Sequence, residues 1–185
     1  MTLENEFSEQ TADILSPFLS ACGDRQNALR WCNFATVDAA GHPQSRTLVL
    51  REVSVEGPLL RFYTDKRSPK CADLAQTPAV TCLFLSENAR SQYRFTGLAK
   101  VLSSGDQRRT HWQKLAPHAQ RDYASVSAPS RPGPTDYRIE DAEQNFALIE
   151  VRLLSLDLLT LAREQHQRWR YEWTESGLSK HALTP

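Results

Sequence analysis

The stretch Arg46-Thr47-Leu48-Val49-Leu50-Arg51 decides the fold of this chain. Its four central residues are aliphatic or β-branched, which is typical of a strand, and an arginine stands at each end. In a regular strand the two arginines point to opposite faces and lie about 17 Å apart. They suit an elongated ligand, provided that strand twist or a bulge lets both reach it. The alternative is two ordinary solvated cations at the ends of a strand.

Further strands and turns are predicted on both sides of this stretch. The predicted elements are a helix over 9–22 that must kink or break at Pro17, strands over 28–38, 45–53, 59–64, 79–85 and 92–103, a short helix over 69–75, a helix over 106–121, a helical turn over 141–146, extended segments over 147–154 and 155–162, and a final strand over 167–174. Leu60, Phe62 and Thr64 share one strand face. Residues 124–134 form a polar loop that could act as a lid. The pattern predicts a mainly β, antiparallel body with flanking helices.

Composition narrows the class of protein. The 185 residues fit one domain, 1–185, and 22 basic residues balance 22 acidic ones, so no overall charge draws the chain to nucleic acid or membranes. The four cysteines lack metal-ligand spacing, which predicts reduced thiols and no metal. No apolar run approaches the ~20 residues that span a bilayer, and the acidic start lacks a basic signal-peptide head. We therefore expect a soluble cytoplasmic protein.

A second cluster of anion-binding groups lies around Ser68 and Lys70. Serine is a favoured residue before a helix and Pro69 suits the first helical position, so a helix is expected to begin here. The free NH groups of a helix start attract anions, and the Ser68 hydroxyl and the Lys70 ammonium add two further donors. The segment therefore predicts a phosphate site, with a capped surface helix as the alternative.

Gln92 completes the set, because its amide can both donate to and accept from the polar edge of a heteroaromatic ring. Taken in order, the runs 43–51, 62–70 and 91–97 resemble the pyridoxamine 5'-phosphate oxidase-related family of FMN-binding split barrels. The likeness is strongest from about Trp31 to Ser103. It extends more weakly through His166-Gln167-Arg168.

The resemblance implies a six-stranded antiparallel split β-barrel and a homodimer with FMN at the subunit interface. Arg46 and Lys70 would hold the phosphate with help from Ser68. The other implied cofactor contacts are Thr47, Leu48, Val49, Leu50, Tyr63 and Thr64 along the ring and ribityl chain, Gln92 and Arg51 at the pyrimidine edge, and Arg168, contributed by the partner subunit.

The resemblance leaves the reaction open. Glu164-Gln165-His166 stands where the vitamin B6 oxidase has Arg-x-His, so a negative charge replaces a positive one, and His166 is either a proton donor or a packing residue. Arg121, Ser127, Ser130 and Arg131 could supply another anion site. One interpretation is an oxidase of pyridoxamine or pyridoxine 5'-phosphate that uses oxygen. The alternatives are a reductase of flavin or another small molecule with a nicotinamide donor, and a non-catalytic protein that binds flavin or B6 vitamers.

Overall fold

Eight antiparallel strands form one sheet in the computed structural model, which describes residues 3–88, 90–175 and 177–185. The strands are β1 (Trp31–Val37), β2 (Pro43–Ser54), β3 (Leu59–Asp65), β4 (Ala79–Leu85), β5 (Ser91–Leu102), β6 (Phe146–Thr160), β7 (Gln167–Thr174) and β8 (Gly177–Leu183). The helices are α1 (Leu3–Gly23), α2 (Pro69–Gln76), α3 (Asp106–Gln113), α4 (Pro117–Gln120) and α5 (Ala142–Asn145). Single 3₁₀ turns cover Ala28–Arg30, Arg121–Tyr123 and Ile139–Asp141.

The first six strands close into a barrel because β6 pairs with β3 as well as with β5. Residues 146–152 of β6 pair with β3, and residues 155–160 pair with β7 instead. One long strand therefore both closes the barrel and carries the two-strand extension β7–β8. The predicted six-stranded antiparallel barrel with flanking helices is confirmed.

Aromatic side chains fill the barrel and the space beneath α1. The ring of Phe18 on α1 meets the rings of Phe84, Tyr93 and Phe95 edge-on, at centroid distances of 5.0, 5.1 and 5.2 Å. Inside the barrel, Phe62 is fully buried and shares its strand face with Leu60 and Thr64, as predicted. Burying such large rings makes α1 part of the hydrophobic core.

Helix α1 runs without interruption past Pro17, so the helix is not broken there. Proline removes the NH that would bond to the carbonyl oxygen of Asp13 four residues earlier. The hydroxyl of Ser16 donates to that oxygen at 3.0 Å. A side chain thus replaces the missing backbone donor.

Three other sequence predictions need correction. The helix expected over 106–121 is divided into α3 and α4, because Pro117 begins a new helix and disfavours helical geometry in the residue before it. The two extended segments expected over 147–162 are the single strand β6. The strand over 167–174 is not the last one, since β8 pairs along its whole length.

The cysteines and helices of the described residues add two facts. All four cysteines are unpaired, and Cys32 and Cys82 are buried. Within 3–88, 90–175 and 177–185, no helix combines the length and the apolar character that a membrane span requires.

Candidate functional site

Arg46 lies in a network with buried polar groups on β1 and α2. Its Nη1 donates to the hydroxyl of Thr36 at 2.8 Å, and its Nη2 is 3.8 Å from the carboxylate of Asp73. Thr36 donates in turn to Asp73 at 2.8 Å. These contacts hold the guanidinium beside α2, the helix that follows the predicted phosphate turn.

Lys70, Thr64 and Ser68 form the neighbouring part of the same cluster. The Lys70 ammonium donates to the Thr64 hydroxyl at 3.1 Å, and the Thr64 and Ser68 hydroxyls lie 3.4 Å apart. Ser68 immediately precedes α2 as predicted, but its hydroxyl donates to the Asp65 carbonyl at 2.7 Å and does not cap the helix. The structure therefore brings together the three residues predicted around the phosphate, Arg46, Ser68 and Lys70, and adds Thr64, which was predicted beside the ring or ribityl chain.

Two positive charges lie close together in this cluster. Burial lowers the pKa of Lys70 below its ordinary value, and the charge of Arg46 adds to that effect, while Cys71, Asp65 and Asp73 oppose it. Holding two partly desolvated cations side by side costs free energy that a bound dianion would recover. The donor set of two cations and two hydroxyls fits a phosphate group.

Strand β2 has an open edge beside this cluster. Its residues 43–49 pair with β1, whereas pairing with β3 begins only at Leu50. Within the described residues, the backbone of Thr47, Leu48 and Val49 therefore has one edge without a strand partner. Alternate NH and carbonyl groups along that edge are available to a ligand.

Arg51 occupies a β-bulge. Leu50 pairs with Phe62 and Glu52 pairs with Arg61, so Arg51 is an extra residue opposite the β3 strand. Its guanidinium lies 5.2 Å from the ring centre of Tyr63. Of the two features that could let both arginines reach one ligand, strand twist or a bulge, the structure contains a bulge at Arg51.

Gln92 and Arg168 lie apart from the phosphate cluster. Both are cross-strand neighbours of Leu159 on β6. Strands β1 and β4 separate Gln92 on β5 from β2, a distance of about 14 Å at 4.8 Å per strand, and Arg168 on β7 lies two strands further along the sheet. Arg168 donates from Nε and Nη2 to Asp157 at 2.9 and 2.8 Å, and Arg94 donates to Asp157 at 2.7 Å. Hydrogen bonds from Arg168 chiefly lower the pKa of Asp157, with Arg94 contributing.

His166 lies in the exposed connection between β6 and β7. Its Nδ1 accepts a hydrogen bond from the NH of Ala162 at 3.2 Å, which stabilises the local turn. Among the described residues no contact links it to the phosphate cluster. A catalytic role for His166 stays a prediction.

A separate cleft of about 620 Å³ is lined by Arg121, Asp122, Ser125, Tyr137 and Ile139. Of the four residues predicted as a further anion site, Arg121 is the one that lines it, whereas Ser127 donates to the Pro134 carbonyl. Arg67 ties this region to the phosphate turn. It is paired with Asp65 at 2.6 Å and donates to the carbonyls of Ser125 and Val126 at 2.8 and 3.1 Å.

Several residues that shape the site were not predicted from the sequence, among them Asp73, Asp157 and the buried His111. Asp73 follows Lys70 by three positions on a helix, a spacing that places the two on one face and could have indicated a pair. Asp157 and His111 had no comparable local signal, because their partners are distant in the chain.

Comparison with known proteins agrees with this geometry. Residues 13–103 match the model of the pyridoxamine 5'-phosphate oxidase FMN-binding domain. A pyridoxine/pyridoxamine 5'-phosphate oxidase of Psychrobacter cryohalolentis is 35% identical over 98 residues, which are 52% of this chain and 43% of that protein. One from Acinetobacter baumannii is 30% identical over 127 residues, 69% of this chain and 56% of that protein. The chain thus spans about half the length of the curated relatives it matches.

A solved structure from Nostoc punctiforme PCC 73102, described as a pyridoxamine 5'-phosphate oxidase-related, FMN-binding protein, is 26% identical. It aligns with a TM-score of 0.78 over 94% of this chain and 96% of its own. PhzG from Burkholderia lata 383 shares the fold at 16% identity and a TM-score of 0.75, over 94% and 91% of the two chains. The family match over residues 13–103, the likeness to the Nostoc protein and the closed six-stranded barrel show that the chain belongs to the pyridoxamine 5'-phosphate oxidase-related family of FMN-binding split barrels, with FMN as its cofactor.

Proposed function

We propose that this protein is an FMN-dependent oxidoreductase that acts on a small molecule. The observation that carries the proposal is the cluster of Arg46, Thr64, Ser68 and Lys70 beside the open edge of β2. The chain, residues 1–185, would act as one domain, and a cytoplasmic location stays a prediction.

The residues of this cluster would divide the work of holding FMN. Arg46 and Lys70 would bind the phosphate, which relieves the cost of keeping their two charges together. The backbone of Thr47 to Leu50 would bind along the ring system, and Arg51 would face its polar edge. When bound, FMN supplies a ring that accepts a hydride equivalent and passes electrons on.

A homodimer would complete the site. Gln92 lies on the same sheet as Arg46 but about 14 Å away across β1 and β4, and Arg168 lies two strands further along the sheet, so both suit a cofactor bound by the partner subunit. Between Arg46 and Gln92 lies an apolar surface on β1 and β4, on which Trp31 is 53% exposed and Leu85 is 44% exposed. A second copy of the chain covering this surface would bring its own Gln92 and Arg168 to the first phosphate cluster.

The variant Leu85→Glu tests this arrangement. A charge at the proposed dimer surface should produce a monomer, and FMN should be released because each cofactor loses its contacts to the partner. The matched control is Leu19→Glu, since Leu19 is also 44% exposed but lies on α1. Analytical ultracentrifugation and the flavin content of the purified protein give the result. A Leu85→Glu monomer that retains full FMN would contradict the shared site.

The first candidate reaction is oxidation of pyridoxamine or pyridoxine 5'-phosphate by oxygen, as the names of the relatives suggest. The second candidate is reduction of a flavin or another small molecule by a nicotinamide donor. Glu164 favours the second, because a carboxylate two residues before His166 disfavours an anionic substrate there. A non-catalytic protein that binds flavin or B6 vitamers is the third candidate.

Spectroscopy of the purified protein distinguishes these candidates. Bound FMN gives a yellow protein, and peroxide release on adding pyridoxamine 5'-phosphate would identify an oxidase. Bleaching by a nicotinamide donor without such release would identify a reductase. Yellow protein that responds to neither, across a panel of vitamers and reductants, would indicate a binding protein. Protein that stays colourless after incubation with FMN would reject the proposed function.

A further inference from the structure

Arg51 is a half-buried arginine for which the described part of the chain provides no hydrogen-bond acceptor. Its Nε is buried and unpartnered. Within 3–88, 90–175 and 177–185, the other arginines with buried or half-buried side chains all donate a hydrogen bond, namely Arg30, Arg46, Arg61, Arg67, Arg94, Arg108 and Arg168. A partly desolvated guanidinium with unused donors is costly unless a ligand supplies the acceptor.

The ring of Tyr63 supports this guanidinium. The cation lies over the ring at 5.2 Å, a distance at which the π face stabilises it. Phe146 holds Tyr63 from another side, with ring centres 5.1 Å apart. The position of Arg51 therefore depends on the position of the Tyr63 ring.

His111 fixes the polar end of that ring. The Tyr63 hydroxyl is 3.0 Å from His111 Nδ1, and His111 Nε2 is 3.7 Å from a carboxylate oxygen of Glu52. His111 is 5% exposed. Since the carboxylate favours a proton on Nε2, Nδ1 is left to accept a hydrogen bond from Tyr63.

The surroundings of His111 favour the neutral form of its imidazole. Burial is the main effect that lowers the pKa of His111, and the positive charges of Lys114 on the C-terminal end of α3 and Arg61 on β3 lower it further. Glu52 on β2 and Glu150 on β6 act in the opposite direction. Protonation at low pH would place a hydrogen on Nδ1, which could then no longer accept a hydrogen bond from the Tyr63 hydroxyl.

We propose that His111 is a positioning residue. Its Nδ1 accepts a hydrogen bond from the Tyr63 hydroxyl and so fixes the Tyr63 ring. That ring in turn holds the Arg51 guanidinium toward the polar edge of the bound flavin. This inference rests on the proposed function, because it takes flavin as the ligand. His111 on α3 would then belong to the residues that set flavin affinity, although no hydrogen bond or ion pair among the described residues joins it to Arg51.

Flavin titrations with FMN and with riboflavin, which lacks the phosphate, test the proposal. Tyr63→Phe and His111→Leu should each weaken both ligands by about fivefold, the effect of one neutral hydrogen bond. His111→Gln should retain wild-type affinity, because its amide can accept from Tyr63 and donate to Glu52. The flavin affinity of the wild type should decrease as the pH falls below the ordinary pKa range of histidine. The flavin affinity of His111→Gln should not show this decrease.

The Arg51→Met background separates positioning from simple loss of structure. If His111 acts through Arg51, Tyr63→Phe and His111→Leu should have no further effect on flavin affinity in that background. Equal losses with and without Arg51 would overturn the proposal. Should a variant fail to fold, nitrogen NMR of the wild-type imidazole decides, since a proton on Nδ1 would also overturn it.

Different results would reject the proposed function and this inference. A wild-type protein that binds neither flavin would sink the proposed function and this inference with it. Flavin binding that responds to changes at Arg46 and Lys70 but is unchanged by His111→Leu and Tyr63→Phe would overturn this inference alone.

Discussion

Replacing both Arg46 and Lys70 by alanine should weaken FMN binding by about a hundredfold or more. Each change removes a charge-assisted contact of about 1.5–3 kcal/mol, which corresponds to roughly ten- to hundredfold in affinity. The two side chains belong to one cluster and would touch one phosphate, so their effects should not simply add. Titration of flavin fluorescence measures the change.

Two controls make this result specific. Lys66→Ala removes an exposed cation from the same turn and should leave FMN affinity unchanged. Riboflavin should bind wild type and double variant alike, because it lacks the phosphate. FMN affinity that survives both substitutions would reject the phosphate assignment.

The same substitutions should differ in their effect on stability. Arg46 faces the buried carboxylate of Asp73, so Arg46→Ala leaves a buried charge without its cation. Lys70 is partly desolvated and repelled by Arg46, so Lys70→Ala should not lower the melting temperature. Lys70→Ala therefore tests FMN binding without a loss of fold.

Asp157→Ala should have the largest effect on stability among the polar changes considered. The carboxylate is 8% exposed and accepts hydrogen bonds from both Arg94 and Arg168. Removing it takes the shared acceptor from two guanidinium groups, whose side chains are 43% and 28% exposed and can be hydrated in its absence. Because the buried carboxylate links two strands to β6, we expect the melting temperature to fall by several degrees.

Glu172→Ala provides the matched control on the neighbouring strand β7. It breaks the pair between Arg170 and Glu172, whose side chains are 45% and 41% exposed, and pairs of this kind contribute under about 1 kcal/mol. Thermal unfolding of the two variants would give the comparison. Equal melting temperatures would show that Asp157 does not anchor β7 to the barrel.

The pH dependence of the Asp157 effect has a defined sign. Its pKa is lowered in the folded protein, so the carboxylate contributes stability above the pKa of an unfolded aspartate, about 3.9. That contribution is lost as the pH falls through the folded pKa. The difference in unfolding free energy between wild type and Asp157→Asn should therefore shrink below about pH 4. A difference that stays constant from pH 7 to pH 3 would contradict the assignment.

Local patterns predicted most of the strands correctly. Residues 79–85 form β4 with the predicted bounds, because a run rich in apolar and β-branched residues follows Pro78 directly. β8 was missed because Gly177-Leu178-Ser179-Lys180 has no strong strand pattern of its own. It is stabilised by pairing with β7. The division of β6 into two segments failed for a related reason, since a register shift against β5 at Thr96 and Gly97 interrupts its alternation.

The candidate site also contains both residues that local sequence patterns indicated and residues that they did not. The phosphate cluster was recognisable in the sequence, because Arg46 belongs to a clear strand pattern and Ser68 and Lys70 lie at a clear helix start. His111 was not, because it meets Tyr63 and Glu52 across 48 and 59 positions of the chain, and that contact arises only when α3 packs against the barrel. No local pattern reports such a contact.

The sequence by itself determined the kind of residue available for binding and the order of the strands that carry them, since charge and strand propensity are local properties. The tertiary structure alone decided three things: the bulge that frees Arg51, the open edge of β2, and the pairing of Arg168 with Asp157. Each depends on which strand lies beside which and in what register. That choice is made by packing between residues far apart in the chain.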